Sequence, residues 1–418
     1  MFKPLEPPKN KDPLHRTRQL VLPPRARSRQ AHLFTQAAAE GRFALPRCKT
    51  CGQFSVPARD CCPNCLGGEY ELADTAPSGT VLSVTEADIP FLNYFRERAP
   101  WRVVLVRLDC GPTVLAHGHY DCAIDGRATM SLKLDKAGQA VFYAAPAETG
   151  GDPLSDPQWR EMTADPRHRR ILITDGRNPV TPALVRDLLQ AGARKIFVGL
   201  PDLWKPLAWE NELRQHAAVQ VVPLDVRSER SVYELVRAYG AKIEILINTA
   251  DHIRPGGYLA PGQLCHAADA LDMLAMGLMR LAASFGPVMA GRGADGEAGA
   301  VAWVNLFSAY AQTPSAALAG YAMAHAAALN FSLSLRAELA GGGIRVMNVF
   351  SGASDSDWFQ TMPQPRVTAR VLSRSILDGL RGGLEDVHVG AVAEDIKERL
   401  RANPKAAERE ISSTRFGG

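Results

Sequence analysis

Five cysteines within eighteen residues, four of them in two CxxC pairs, constrain this chain more than any other feature. The stretch CKTCGQFSVPARDCCPNC places Cys48, Cys51, Cys62 and Cys65 in two CxxC knuckles with ten residues between them. Each knuckle turns two thiolates toward one point, and four thiolates complete the tetrahedral shell of a Zn²⁺ ion at about 2.3 Å per bond. Gly52 follows the first knuckle, where the backbone must turn tightly. Cys61 is a spare thiol beside the second knuckle, into which that knuckle could shift, and the CxxC spacing favours Cys62. Buried free thiols and two disulfides are the other uses for such a cluster; disulfides suit an exported chain. With four protein ligands no position is left open, so the zinc is expected to be structural. Cys110, Cys122 and Cys265 are isolated and read as core residues.

At 418 residues the chain exceeds one ordinary core, and its 46% hydrophobic and 22% charged content is that of a globular protein of two or three domains. Residues 1–30 form a basic, Pro-rich arm with eight Lys/Arg against Glu6 and Asp12. Such an arm is either solvated chain or a segment that lies on an acidic partner surface or near phosphates. It lacks the apolar core of a secretory signal, and no run of eighteen apolar residues follows, so a cytoplasmic protein without a membrane span is expected. Residues 31–70 read as a short helix and the cysteine ribbon. Residues 71–148 read as a β-barrel, with β-rich runs such as GTVLSVTEADI, RVVLVRLDC and QAVFYAAP between turn signals. Residues 149–168 carry Gly, Pro and Asp clusters and read as a linker. From 169 to 400 strands (RRILITD, KIFVGL, IEILINTA, AVAWVNLF, IRVMNVF) alternate with helices, the rhythm of a doubly wound parallel sheet, and 401–418 read as a tail. The predicted architecture is therefore multidomain: zinc ribbon plus β-barrel, then an α/β Rossmann-like domain.

A ribbon followed by a small barrel can bind nucleic acid. Residues 71–150, however, hold seven Lys/Arg and ten Asp/Glu, and a polyanion groove needs the opposite balance. Charge thus argues against nucleic acid as a partner, with only the basic arm in its favour.

The helix, the RCxxCG…CPxC ribbon, the SGTVLSVT strand and WRVVLVRLD together resemble the family that pairs a rubredoxin-like zinc ribbon with an OB-fold, over about residues 31–147. Members of that family are subunits that pair with thiolase-like enzymes acting on acyl-CoA. The resemblance implies a thiolase-like partner subunit and an acyl-CoA-linked complex.

Residues 169–400 resemble the short-chain dehydrogenase/reductase family, but with its chemistry eroded. That family opens with TGxxxGxG, whose glycines let backbone approach the dinucleotide pyrophosphate at a helix N-terminus. Here the stretch is TDGRNPVT: Thr174 is kept, the three glycine positions hold Asp175, Pro179 and Thr181, and Gly176 is out of register. Asp225 stands where the family contacts adenine, and the family's NNAG is Asn248-Thr249-Ala250-Asp251. The relay asparagine aligns with Ala275. Ser308 precedes Tyr321 by thirteen residues, the family's interval, but the lysine four positions after the tyrosine is His325. A histidine there shares the helix face yet supplies no permanent charge at neutral pH. Ser308, Tyr321 and His325 are therefore expected to be vestigial, NAD(P) is not expected to bind, and zinc is the expected cofactor. The Ala- and Ser-rich helix around Tyr321 suits either an oligomer interface, as in this family, or packing on its own sheet. The expected function is a non-catalytic, zinc-binding subunit of a thiolase-type complex, with the dehydrogenase-like domain kept for dimerisation or recruitment. The alternative is an active NAD(P)-dependent reductase of a β-keto or β-hydroxyacyl-CoA.

Overall fold

The computed structural model describes residues 20–23, 34–57, 59–147, 153–205, 207, 209, 216–259, 262–293, 299–354 and 365–412. The basic arm expected at 1–30 lies, apart from residues 20–23, outside them. The chain divides into two units, one built principally on Gln19–Asp165, the other on Pro166–Leu380 and Asp386–Gly418.

In the first unit, helix α1 (Thr35–Ala39) leads into strand β1 (Ala44–Cys48), which pairs antiparallel with β2 (Tyr70–Asp74) across the two knuckles. Then follow β3 (Ser78–Ala87), β4 (Trp101–Leu108), β5 (Thr113–Gly118), β6 (Arg127–Leu134) and β7 (Ala140–Pro146), with a one-turn helix α2 (Asn93–Arg96) between β3 and β4. These five strands close a barrel in the order β3-β4-β5-β7-β6, antiparallel except for β5 with β7. Alternation in the sequence produces this directly: Val114 and Ala116 of β5, and Ala128 and Met130 of β6, are buried while the residues between them are more exposed. The ribbon shares this core. Phe34, Ala37, Ala38, Ala44 and Leu45 bury against Val104, Val106, Leu132 and Leu134 of the barrel.

The stretch read as a linker, 149–168, is folded in its described part. Helix α3 (Pro157–Glu161), capped by Asp156 onto the Gln158 N–H, is tied down by polar side chains. The Tyr143 hydroxyl donates to Asp156, and Gln158 exchanges two hydrogen bonds with the Arg102 backbone. Proline and aspartate here mark a cap rather than a flexible connection.

The second unit carries a seven-stranded parallel sheet. Its strands are β8 (Arg170–Ile173), β9 (Lys195–Leu200), β10 (Val219–Pro223), β11 (Ile245–Asn248), β12 (Ala302–Ser308), β13 (Arg345–Ser351) and β14 (Asp386–Val389), in the order β10-β9-β8-β11-β12-β13-β14. The order reverses between β8 and β11, and in such sheets ligands bind beyond the strand ends at that point. Helices α4 (Thr181–Gln190), α5 (Glu229–Tyr239), α6 (Gln263–Ala270), α7 (Gly277–Gly291), α8 (Ala319–Ala340), α9 (Ala369–Gly382) and α10 (Ala391–Ala402) complete the fold. The stretch read as a tail holds another helix, α11 (Pro404–Ser412), with Ala407 buried. The sequence has no unbroken run of eighteen apolar residues. Even so, the helical stretch Leu264–Gly291, which contains a π-turn at Leu271–Met276, is long and apolar enough by composition to cross a membrane. More than half of its most apolar window is buried, and Leu278, Leu281, Phe285 and Met289 lie in the core of this unit.

Helix α8, which carries Tyr321 and His325, is held on the sheet by a buried polar chain. Trp303 Nε1 donates to Asn305 Oδ1 (2.9 Å), Asn305 Nδ2 to Ser332 Oγ (2.9 Å), and Ser332 Oγ to Asn348 Oδ1 (2.6 Å). Every member is satisfied, which is what makes such a network rigid rather than costly.

Candidate functional site

The ribbon brings Cys48, Cys51, Cys62 and Cys65 together. Their four Sγ atoms lie within 4.8 Å of one another, with Cys48–Cys65 and Cys51–Cys62 both at 3.6 Å. Bonds of about 2.3 Å in a tetrahedron put sulfurs about 3.8 Å apart, so the set fits one Zn²⁺. Gly52 adopts a φ of +73°, a conformation that favours glycine at the turn after the first knuckle. The Cys51 N–H holds the Cys48 thiol down to about 6. The Gly67 N–H also lowers Cys65, but the Cys51 thiol, burial and the Cys48 and Cys62 thiols push it up to about 12. Four thiolates this close are tolerated only around a cation. Cys61 is exposed and outside the set.

The crevice of the second unit is differently made. After β8 the chain passes through Thr174, whose hydroxyl donates to Asn248 Oδ1 (2.9 Å) and accepts from the Thr249 N–H (3.0 Å), joining β8 to β11 at their ends. The loop that follows uses up its own peptide groups. The Asp175 N–H donates to Thr249 Oγ1, the Gly176 N–H to the Gly199 carbonyl and the Arg177 N–H to Asp175 Oδ1. The Asn178 N–H reaches the Asp175 carbonyl at 3.5 Å, the Val180 N–H goes to Asn178 Oδ1 and the Thr181 N–H to the Asn178 carbonyl. Pro179 has no N–H. A helix N-terminus binds phosphate through such N–H groups, and from 175 to 181 each one present has a partner within the chain.

The side chains close the loop further. The Asp175 carboxylate is clamped by the Arg177 guanidinium at 2.6 Å, and the buried Thr181 hydroxyl donates to the Asp175 carbonyl (2.9 Å). Trp209 Nε1 donates to the Gly176 carbonyl, and a Cβ at Gly176 would stand 3.1 Å from that indole. Asp225 accepts from the N–H and the guanidinium of Arg227.

The family's catalytic positions lie deeper. Ser308 is buried, and its Oγ accepts from the Tyr310 N–H (3.3 Å), capping a short turn. Tyr321 and His325 are both buried, their rings edge to face with centroids 4.4 Å apart. Among the described residues neither ring nitrogen of His325 has a hydrogen-bond partner, and Asp251 Oδ1 is 3.8 Å from Nε2. Sequence reasoning missed the role of Asp251, although its signal was present as the aspartate in place of the last glycine of NNAG. Its carboxylate accepts the Tyr321 hydroxyl. Burial first, then this carboxylate, holds the phenol well above its ordinary range. In the dehydrogenase family a lysine lowers the tyrosine; here a carboxylate raises it. Beside Tyr321, lined by Arg254, Tyr258 and His266, there remains a cavity of 10 Å³, room for about one water. Ala275, at the relay asparagine's place, is buried in the π-turn.

Comparison with known proteins divides the chain in the same way. Residues 35–71 match the rubredoxin-like zinc ribbon domain of ChsH2, residues 73–132 the C-terminal OB-fold domain of ChsH2, and residues 169–366 the short chain dehydrogenases. Short-chain dehydrogenase PC-15 of Penicillium crustosum and short-chain dehydrogenase ptmH of Penicillium ochrochloron are each 30% identical to this chain over 157 residues, 36% of this chain. The chain spans about half the length of these relatives, 54% in each case. A short chain dehydrogenase from Burkholderia cenocepacia J2315, solved in complex with NADP, has the same fold, with a TM-score of 0.52 and 24% identity over 59% of this chain and 98% of that one. The chain is a fusion of a ChsH2-type rubredoxin-like zinc ribbon and OB-fold with a short-chain dehydrogenase domain.

Proposed function

We propose that this chain is a non-catalytic, zinc-binding subunit of a thiolase-type acyl-CoA enzyme complex. Ribbon and barrel dock a thiolase-like partner, whose own nucleophile does the carbon–carbon chemistry. Zinc, held by Cys48, Cys51, Cys62 and Cys65, is structural. The dehydrogenase domain serves as a scaffold for dimerisation or recruitment and does not bind NAD(P). The single observation that carries this proposal is the loop from Asp175 to Thr181, whose peptide N–H groups are all engaged within the chain. A pyrophosphate would have to displace those bonds and the Asp175–Arg177 pair together. The Asp251 carboxylate on Tyr321 adds to it, because a tyrosine raised in this way is a poor proton donor at neutral pH.

Fluorescence titration with NADH and NADPH tests it. The expected outcome is no saturable binding up to about millimolar cofactor, the weakest range that matters for an enzyme. Micromolar binding would overturn the proposal in favour of a reductase using Ser308 and Tyr321. Thiolytic activity from the purified chain alone would also overturn it.

A further inference from the structure

Strand β6 breaks its own alternation at one residue. Thr129, Ser131 and Lys133 share one side of the strand. Thr129 is exposed and Ser131 half-buried, but Lys133 is only 7% exposed. A lysine is almost never buried unless its ammonium is paired. The cover over Lys133 has two parts. Its Nζ stands 4.7 Å from the centre of the Trp159 ring of α3, and it donates to the Gly382 carbonyl at 2.6 Å. Gly382 is 249 residues further along the chain, where it ends α9 just before β14. By its contacts, nonetheless, the segment Arg381–Glu385 belongs to the first unit.

The rest of this segment is held as closely. The last carbonyls of a helix need partners from outside it. In α1 the Gln36, Ala37 and Ala38 carbonyls accept from residues 40–42, and the Ala39 carbonyl accepts from the Glu385 N–H at 3.1 Å. The Leu384 side chain lies over Gly41, where a Cβ would stand 2.7 Å from Leu384 Cδ2. Gly383 has a φ of +65°, and a Cβ on it would collide with the Met162 carbonyl oxygen just past α3. Four consecutive residues thus meet α1, β6 and the end of α3.

We propose that residues 382–385 are a strap by which the second half of the sequence completes the ribbon–barrel unit. Its two ends are already fixed by α9 and β14, so little chain entropy is lost when it binds. It reaches the end of α1, which leads through β1 to Cys48, and so supports the ribbon as well as the barrel. This task needs no cofactor and survives the closing of the phosphate loop, which gives the second half of the sequence a use within its own chain.

Hydrogen exchange of the purified full chain, read by mass spectrometry, tests the proposal with three variants. Lys133→Met keeps the stem of the side chain and removes the ammonium. Leu384→Ala uncovers Gly41, and Gly383→Ala drives a Cβ against Met162. Amides of α1 and α3 should exchange on the order of tenfold faster in each variant, while those of β11 and β12 exchange as in the wild type. Gly383→Ala also alters how α9 ends; the other two leave that backbone alone, and they decide. Unchanged exchange of α1 and α3 in Lys133→Met and Leu384→Ala would overturn the proposal, as would faster exchange confined to residues 381–390. Equal acceleration in β11 and β12 would mean that the segment serves the second unit, and would overturn it too. None of these outcomes depends on a partner protein or on NADPH, so the strap and the function proposed for the chain can fail separately.

Discussion

The two units of this chain keep different things. The ribbon and barrel hold four thiols converging on one point and a cavity with a mainly apolar lining. The dehydrogenase sheet has its satisfied Asn305–Ser332–Asn348 chain, and three acidic groups at its crevice are paired within the chain. Asp175 meets Arg177, Asp225 meets Arg227, and Asp251 meets Tyr321. A fold survives when its core packing is kept; a site survives only when donors are left open, and internal partners close them at little cost to stability.

The largest test of this contrast is removal of the metal. Structural zinc supplies folding free energy on the order of 10 kcal/mol in small modules. Cys48→Ser or Cys65→Ser should therefore lose about one zinc per chain and abolish association with any partner held by the ribbon. Because α1 and β1 share a core with the barrel, the damage should reach the barrel as well. Calorimetry should then show the first unit's transition weakened or lost and the second unit's transition retained. Full zinc content in Cys65→Ser, or loss of both transitions, would break the comparison.

Acid should separate the units next. Burial alone would raise the Glu161 carboxyl, but Lys136 at 2.7 Å and Arg98 at 3.0 Å, with the Tyr94 hydroxyl, hold it down to about 2. A carboxylate depressed in the folded state stabilises fully above its unfolded value of about 4.3 and loses that contribution as pH falls toward 2. With the side chain 23% exposed, we expect a loss on the order of 2 kcal/mol from the first unit over that window. Denaturant melts of wild type and Glu161→Gln between pH 6 and pH 2 check it, and the variant should lack that part of the acid response.

Much of this was legible in linear sequence, and the remainder has specific physical reasons. Ribbon spacing and period-two strands announced the first unit because each signal is local. Strand β14 was not announced: four residues, three of them only half-buried, leave no pattern. Helix α3 was hidden because its caps and buried polar residues, Asp156 and Gln158, read as turn-forming in isolation. The loss of the glycines was visible at once, but not that Asn178 and Thr249 would take up the freed peptide groups. The Asp251–Tyr321 contact joins residues seventy apart, and the cavity lining comes from separate elements, so neither has a local signature.

A moderate effect is expected at Asp251 itself. Asp251→Gly restores the family's residue and removes the carboxylate from Tyr321, so the phenol should titrate lower than in the wild type, while burial still holds it above its ordinary range. The ultraviolet difference spectrum of tyrosinate, with Tyr321→Phe subtracted, reads this directly. NADPH should still fail to bind, alone or combined with His325→Lys, because the loop from 175 to 181 remains closed. Binding restored by these two changes would mean that the phosphate loop is not the decisive lesion.

The smallest expected effect is at Cys61, and it tests the register of the second knuckle. Two adjacent thiols, Cys61 and Cys62, could each partner Cys65 in principle. The backbone decides between them. The Cys62 N–H donates to the Gly67 carbonyl (2.8 Å) and the Cys62 carbonyl accepts from Leu66 (2.9 Å), so the turn is wound around Cys62. Its side chain is buried with Sγ 3.6 Å from that of Cys51, while Cys61 points to solvent. Cys61→Ser should leave zinc content unchanged and shift stability by less than about 0.5 kcal/mol, as for other surface positions. Cys62→Ser should behave like Cys65→Ser and lose the metal. If instead Cys61→Ser loses zinc and Cys62→Ser keeps it, the knuckle is wound one residue earlier, and the shared core of ribbon and barrel must be packed around a different turn.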